Sequence, residues 1–293
     1  MANPNNKSAL HQAQSVSSRN PPLSGGEMMM ISSATAPGHD HQHPPSQRYR
    51  ASEVRFNKFT IFCGPFAQTL FFLFLPASLN FPPLSPSTSP ENLVNHYRKH
   101  ETGLRGASAL MSLTAVFWPI FVAGVNRQLA RIPGVNPIVL YTQIAGGSLC
   151  VISMMCPSFL FAATVYRLDR DPVLTQLLSD LSWLTFTMAW PPFIAQDLAI
   201  SWAILSDRRP KPLFPRWLAY TTTGLTIGLY PALGVHCVHS GVLAWNGALT
   251  FWVGMACAFF QMNLLVFYLM RAAGTVDDQE KEEQQSGCED LGS

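Results

Sequence analysis

From Trp217 to Met270 the chain carries no Asp, Glu, Lys or Arg. An uncharged stretch of that length can cross a bilayer twice, at about 20 residues per apolar helix. The polar knot HCVHSGVLAWN (236–246) divides it, which gives spans at 217–235 and 248–270. Four more apolar runs precede it, at about 59–79, 106–126, 138–162 and 181–205. The expected fold is all-α: a polytopic membrane helix bundle of about six transmembrane helices, because a lipid-exposed backbone must satisfy its own hydrogen bonds. Composition agrees. Only 12% of residues are charged, against about 25% in soluble domains. Length alone would allow two soluble domains, and the apolar runs override that expectation.

The ends of the chain hold much of its charge. Residues 1–55 are rich in Ser, Pro, Asn, Gln and His without apolar periodicity, and read as a disordered polar tail. The sequence HDHQH (39–43) belongs to it and is read as tail rather than metal site. Residues 56–271 form the expected bundle, and 272–293 an acidic, disordered tail. The first apolar run starts too late for a cleaved secretory signal. Lys and Arg set the orientation. With a cytosolic N-terminus, the inner segments hold Arg48, Arg50, Arg55, Lys58, Arg127, Arg131, Arg208, Arg209, Lys211, Arg216, Arg271 and Lys281. The outer loops hold only Arg98, Lys99, Arg105, Arg167 and Arg170. Both termini are therefore expected in the cytosol, and the endoplasmic reticulum or another endomembrane is the expected location.

Within the fourth span, MAWPPFIAQDLAIS (188–201) contains Pro191, Pro192 and the acid Asp197. Neither proline donates a backbone N–H and each ring clashes with the preceding turn, so the helix should kink or break there. Asp197 lies about 12 Å from the span's inner end at 1.5 Å per residue, close to mid-depth. A charge there costs several kcal/mol, so such residues face a protein interior or a wet cavity. Two roles stand as equals. Asp197 is either a catalytic acid, kept uncharged by its surroundings, or a structural hydrogen-bond partner of a neighbouring helix. Asp180 is the second candidate catalytic carboxylate, about 25 Å away along a straight helix. It is also placed to cap the N-terminus of the span.

Gln68, Gln143 and Gln261 fall inside their spans, with Asn263 and Gln196 near, and amides of this kind either tie helices together or line a substrate cavity. Trp190, Trp202, Tyr141 and Tyr230 are candidate aromatic faces for a cationic intermediate, or ordinary packing and interface residues. The six cysteines are scattered and form no CxxC pair. His96 and His100 share a helical face over 91–101, where Ser89-Pro90-Glu91 opens a short helix. His236 and His239 flank Cys237. None of these has metal-ligand spacing, so no metal is expected, and no cofactor motif stands out. The loop SDRRPKPLFPRWLAY reads as a topology determinant beside anionic headgroups. Without a basic stripe interleaved with aromatics, nucleic acid is not an expected partner. The expected partners are the bilayer and a lipophilic small molecule.

The landmarks FPPLSPSTSPE (81–91), SDLSWL (179–184), AQDLAISWAILSDRRPKPLFPRW (195–217) and AWNGALTFW (244–252) resemble a group of six-span membrane proteins of bacteria and filamentous fungi without an assigned activity. In size, span count and aromatic content the chain is also similar to the integral-membrane terpene cyclases of fungal meroterpenoid pathways. That likeness implies a cofactor-free cyclase or isomerase of secondary metabolism. A transporter with Asp197 as ion relay, and a non-catalytic accessory protein, are the other readings of the same features.

Overall fold

A computed structural model describes residues 47–275, with side chains from Ser52 onward. The polar N-terminal tail up to residue 46, with HDHQH, and the acidic tail from 276 lie outside the described residues. The elements are α1 (Gln47–Ala77), α2 (Pro90–Lys99), α3 (Glu101–Leu129), α4 (Pro137–Tyr166), α5 (Pro172–Thr187), α6 (Pro191–Ser206) and α7 (Arg216–Ile227). A 3₁₀ segment (Tyr230–Cys237) follows. A π-helical turn (Ala248–Val253) then runs into α8 (Gly254–Gly274). No strand occurs among the described residues. Helix α1 starts at Gln47, so residues 47–55 are helical although their composition matches the polar tail.

Three helices open in the same way. Ser89, Asn136 and Asp171 stand at N-caps, each accepting a hydrogen bond from a backbone amide of the first turn, and a proline follows each. A proline there loses no hydrogen bond, because the first-turn N–H groups have no intrahelical partner. Asp171, not Asp180, therefore caps α5, and Asp180 lies well inside that helix.

Four stretches are long and apolar enough to cross a membrane: Ser52–Ala77, Glu101–Leu129, Pro137–Tyr166 and Ala248–Gly274. Between 33% and 44% of each apolar window is buried in the bundle, so most of that surface faces outward. The interior holds Gln143, Gln196, Asp197, Gln261 and many Ser and Thr. The outer surface carries Phe62, Ile152, Phe260 and Phe267. An apolar exterior around a partly polar interior is compatible with a membrane protein and opposite to the soluble pattern.

The predicted fourth span, 181–205, is two helices. Helix α5 ends at Thr187 and α6 begins at Pro191, so the two prolines start a helix rather than bend one. Both halves pack on α4 and run antiparallel to it. Thr164 meets Ser182, Phe161 meets Trp183, Ser153 donates to the Ala189 carbonyl at 2.9 Å, and Gly146 faces the backbone of Pro192 and Gln196. The α4 residues 146 to 164 cover about 27 Å, so α5 and α6 together run the length of a long helix. The same order continues. Ser201 meets Ala219, Asp197 meets Thr226, and Gln261 of α8 reaches Thr226 in turn. The expected 217–235 span is likewise split, into α7 and the 3₁₀ segment.

Beyond α6 the basic loop is organised by an acid. Buried Asp207 accepts from Arg209 Nε and Nη2 at 2.9 and 2.6 Å, and from the amides of Arg209 and Leu213. Burial alone would push this carboxyl up. The Arg209 guanidinium and the two amides outweigh burial and hold it at about 2, below its ordinary 3.8.

Two predictions follow from these contacts. A Cβ on Gly146 would sit 2.8 Å from the Pro192 oxygen and the Gln196 nitrogen, backbone atoms that cannot swing away. Gly146→Ala should lose about 1–3 kcal/mol of stability, the usual cost of overpacking. Gly106→Ala, which meets nothing within 4 Å, should gain up to about 1 kcal/mol from helix propensity. Thermal unfolding in detergent separates the two. For Asp207 the depressed folded-state value means its stabilisation is present above the unfolded value and lost as pH falls toward about 2. Asp207→Asn should cost about 2 kcal/mol at neutral pH, and the gap to the parent protein should close as unfolding is repeated between pH 4 and pH 2.

Candidate functional site

Where α5 stops and α6 starts, the bundle leaves a partly open cavity of about 70 Å³. Four neighbouring helices contribute to it: Gln68, Phe71 and Phe72 from α1, Trp118 from α3, Cys150, Ser153 and Met154 from α4, and Ala258 and Met262 from α8. Phe186, Ala189, Trp190 and Phe193 close it from the break. The lining is mostly apolar. Phe71 stacks on Phe186 at 5.1 Å between centroids, and Trp190 meets Phe193 edge to face at 5.9 Å. Trp118 is held by its indole N–H, which donates to the Gly147 carbonyl at 3.0 Å. That contact exists because Gly147 lets α4 approach closely.

A smaller void of about 10 Å³ adjoins this cavity, sharing Trp118, Phe193 and Met262 as walls. Phe121, Gln196, Asp197, Ile200, Gln261 and Leu265 complete it. Asp197 is only 2% exposed. Thr226 Oγ1 donates to its Oδ2 at 2.5 Å and also lies 3.0 Å from the Thr222 carbonyl, while Gln261 Nε2 donates to Thr226 Oγ1 at 3.1 Å. A threonine hydroxyl has one proton, so the group serves both states of the acid. When Asp197 is ionised, Thr226 donates to it. When Asp197 is protonated, it donates to Thr226, whose own proton turns to Thr222. An acid with such a partner can release and regain a proton without leaving a buried polar atom stranded.

The predicted residues divide clearly. Gln68 and Trp190 line the larger cavity, and Gln196, Asp197 and Gln261 the smaller one. Gln143 is buried, but its amide donates to the Val122 carbonyl at 3.4 Å in the α3–α4 interface, outside both cavities. Trp202, Tyr230 and Tyr141 are 65%, 43% and 69% exposed, on the outside of the bundle. Asp180 is not brought to Asp197; its neighbours are His239 and the buried Tyr97 of α2. Thr226, Trp118, Phe186 and Phe193 were not singled out from sequence. For Phe193 a signal existed, since positions three and four from Asp197 share its helical face, and Phe193, Ile200 and Ser201 are indeed turned inward with it, as Phe193 and Ile200 at the void and Ser201 at α7.

Among the described residues no three His, Cys, Asp or Glu side chains converge as a metal site requires. The rings of His96 and His100 pair at 4.7 Å on α2, and Cys63, Cys150, Cys156, Cys237 and Cys257 are free thiols. The arrangement as a whole is an apolar, aromatic-walled cavity beside one buried, hydrogen-bonded carboxyl group. Compared with known proteins, the chain matches no family model, no curated sequence and no solved structure.

The Asp197–Thr226 bond makes a direct prediction. Thr226→Val and Asp197→Asn should each lower stability by about 1 kcal/mol, the scale of one buried hydrogen bond. Together they should cost less than the sum, because the first change already removes the shared bond. Detergent unfolding of the two single variants and the double variant measures this coupling, and strict additivity would remove the bond from the account.

Proposed function

We propose that this is an integral membrane protein of six crossings with both termini cytosolic, resident in the endoplasmic reticulum or another endomembrane. In this reading α5 with α6 makes the fourth crossing, and α7 with the 3₁₀ segment the fifth. The excess of Lys and Arg on one side supports the orientation, and the antiparallel packing of α5 and α6 on α4 and of α7 on α8 supports the count.

Within that frame the protein is a cofactor-free cyclase or isomerase acting on a lipophilic, terpenoid-like molecule of secondary metabolism. One observation carries this reading: an apolar, aromatic-walled cavity adjoins a single buried carboxyl group. Asp197 gives its proton to an alkene or epoxide, and the positive charge that develops on carbon faces Trp118, Trp190 and Phe193, whose ring quadrupoles stabilise cations. Return of a proton from the rearranged cation to the same carboxylate yields an isomer and restores the acid. Thr226 and Gln261 position the carboxyl group through both steps. Gln68 and Gln196 offer amides to an oxygen of the substrate, and Asp180 is a spectator.

A transporter is the second reading, favoured by the two discontinuous segments at mid-bundle. The two are told apart by product analysis of a host expressing the protein. Asp197→Asn should abolish conversion, with the unconverted precursor accumulating, while Asp180→Asn converts normally. Unchanged products from Asp197→Asn at equal protein level sink the acid-catalyst reading. Asp197-dependent uptake into sealed vesicles without conversion would select the transporter.

A further inference from the structure

A second concave surface lies on the outside of the bundle, between α1 and α8. It has a volume of about 330 Å³ and is walled by Thr69, Phe72 and Leu73 of α1 and by Phe259 and Asn263 of α8. Gln68 and Phe72 line this groove and the inner cavity alike. The two spaces are therefore neighbours with a shared partition, and the partition consists of those side chains. Gln68 reaches across it. Its Nε2 donates to the Ala258 carbonyl at 3.3 Å, and Asn263 Nδ2 donates to its Oε1 at 3.3 Å. Both bonds are longer than the usual 2.7–3.2 Å range, so parting them costs little.

Asn263 is the second observation. It is exposed near the middle of α8, on the outer face of the bundle that also carries Phe259, Phe260 and Phe267. Its amide N–H groups serve Gln68 and, at 2.8 Å, the Phe259 carbonyl, while its Oδ1 accepts no hydrogen bond among the described residues. An unpaired amide oxygen facing hydrocarbon is unfavourable. A hydroxyl group on a lipophilic molecule would satisfy it.

We infer that the α1–α8 groove is a lateral portal. It takes an uncharged chain lipid with a single hydroxyl or carbonyl group directly from the bilayer and passes it inward when the Gln68 and Phe72 side chains turn aside. The inference rests on the proposed membrane reading and on the inner cavity as the binding site. It adds the route, the gate and the ligand class. The groove, at about 330 Å³, lies within the range of small-molecule sites, about 300–1,000 Å³, and the inner space, at about 70 Å³, widens to take the ligand when the partition parts. A molecule with a flexible apolar chain passes a two-residue partition more easily than a rigid one. Neither space offers a cationic side chain, so the ligand carries no phosphate or carboxylate.

The test uses the full chain in phosphatidylcholine vesicles, with a farnesol analogue bearing a diazirine as probe. Samples are irradiated at increasing times after mixing, and adducts are mapped by mass spectrometry. Early adducts on Phe72 and Asn263, followed by later ones on Trp118, Met154 and Met262, are expected. Thr69→Trp and Leu73→Trp, two changes confined to the outer groove, should slow the inner adducts about tenfold, as an added barrier of about 1.4 kcal/mol does. Leu149→Trp on the exposed face of α4 serves as the control, and melting curves establish that all three variants fold. Inner labelling at the same rate in all three overturns the portal and leaves the inner cavity standing as a binding site. Absence of inner labelling in the unsubstituted protein, at every time and also in detergent, overturns the cavity reading and the portal with it.

Discussion

Burying a carboxyl group without a hydrogen-bond partner costs several kcal/mol, and the core of this bundle is arranged so that Asp197 has one. Thr226 meets it from α7, and Gln261 reaches Thr226 from α8. Three elements are joined through a single hydroxyl group. Helices α6 and α7 are 16 and 12 residues long, each shorter than a bilayer-crossing helix. Their ends must be held by neighbours, and the Thr226 junction sits where those neighbours converge. The break that precedes α6 depends on the same logic. Its prolines lack N–H groups, so α5 is left with carbonyls that α6 cannot match. Ser153 of α4 satisfies one loop carbonyl there, that of Ala189, and the Thr187 side chain returns to the Trp183 carbonyl at 2.7 Å.

How close α4 approaches decides what the break can enclose. Gly146 and Gly147 bring α4 against the backbone of α6 and against Val122 of α3. A few residues further along, Cys150, Ser153 and Met154 border open space. The cavity is thus the place where tight glycine packing gives way, on the side where α5 has ended. Aromatic side chains from the break then roof it. The void follows from backbone geometry, and side chains trim it.

Much of this was legible in the sequence, for reasons that differ by element. The four long helices are visible because a bilayer-length apolar run has few alternatives, and Ser89-Pro90 announces its helix through capping chemistry. The prolines at 191 and 192 mark a discontinuity. Periodicity could not say that they begin a helix, because Trp190, which stands before them, offers no capping side chain. Trp202 and Tyr230 looked like site residues by type. Trp202 is five positions from Asp197, which on a helix of 3.6 residues per turn places it well away from the acid's face. Thr226 was hidden among the hydroxyls of TTTGLT, since nothing local distinguishes the threonine that will meet an acid on another helix. Asp207 stands among four basic residues with no sequence signal of burial, and it is the buried centre of their loop.

The position of the acid relative to the cavity constrains any chemistry there. Asp197 does not line the larger space; Trp118, Phe193 and Met262 stand between. Under the proposed reading, a substrate in the larger cavity would meet aromatic faces before it meets the proton donor. For a reaction through a carbocation this order has a use. Under the proposed reading, the cation-stabilising surfaces would be in place before protonation begins. Contact requires that one wall residue move. Met262 is the unbranched, flexible member of the three, suited to repacking, whereas Trp118 is pinned by its bond to Gly147. The wall between the two spaces is thus rigid on the α3 side and deformable on the α8 side. A molecule entering from the α1–α8 groove would approach from that deformable side.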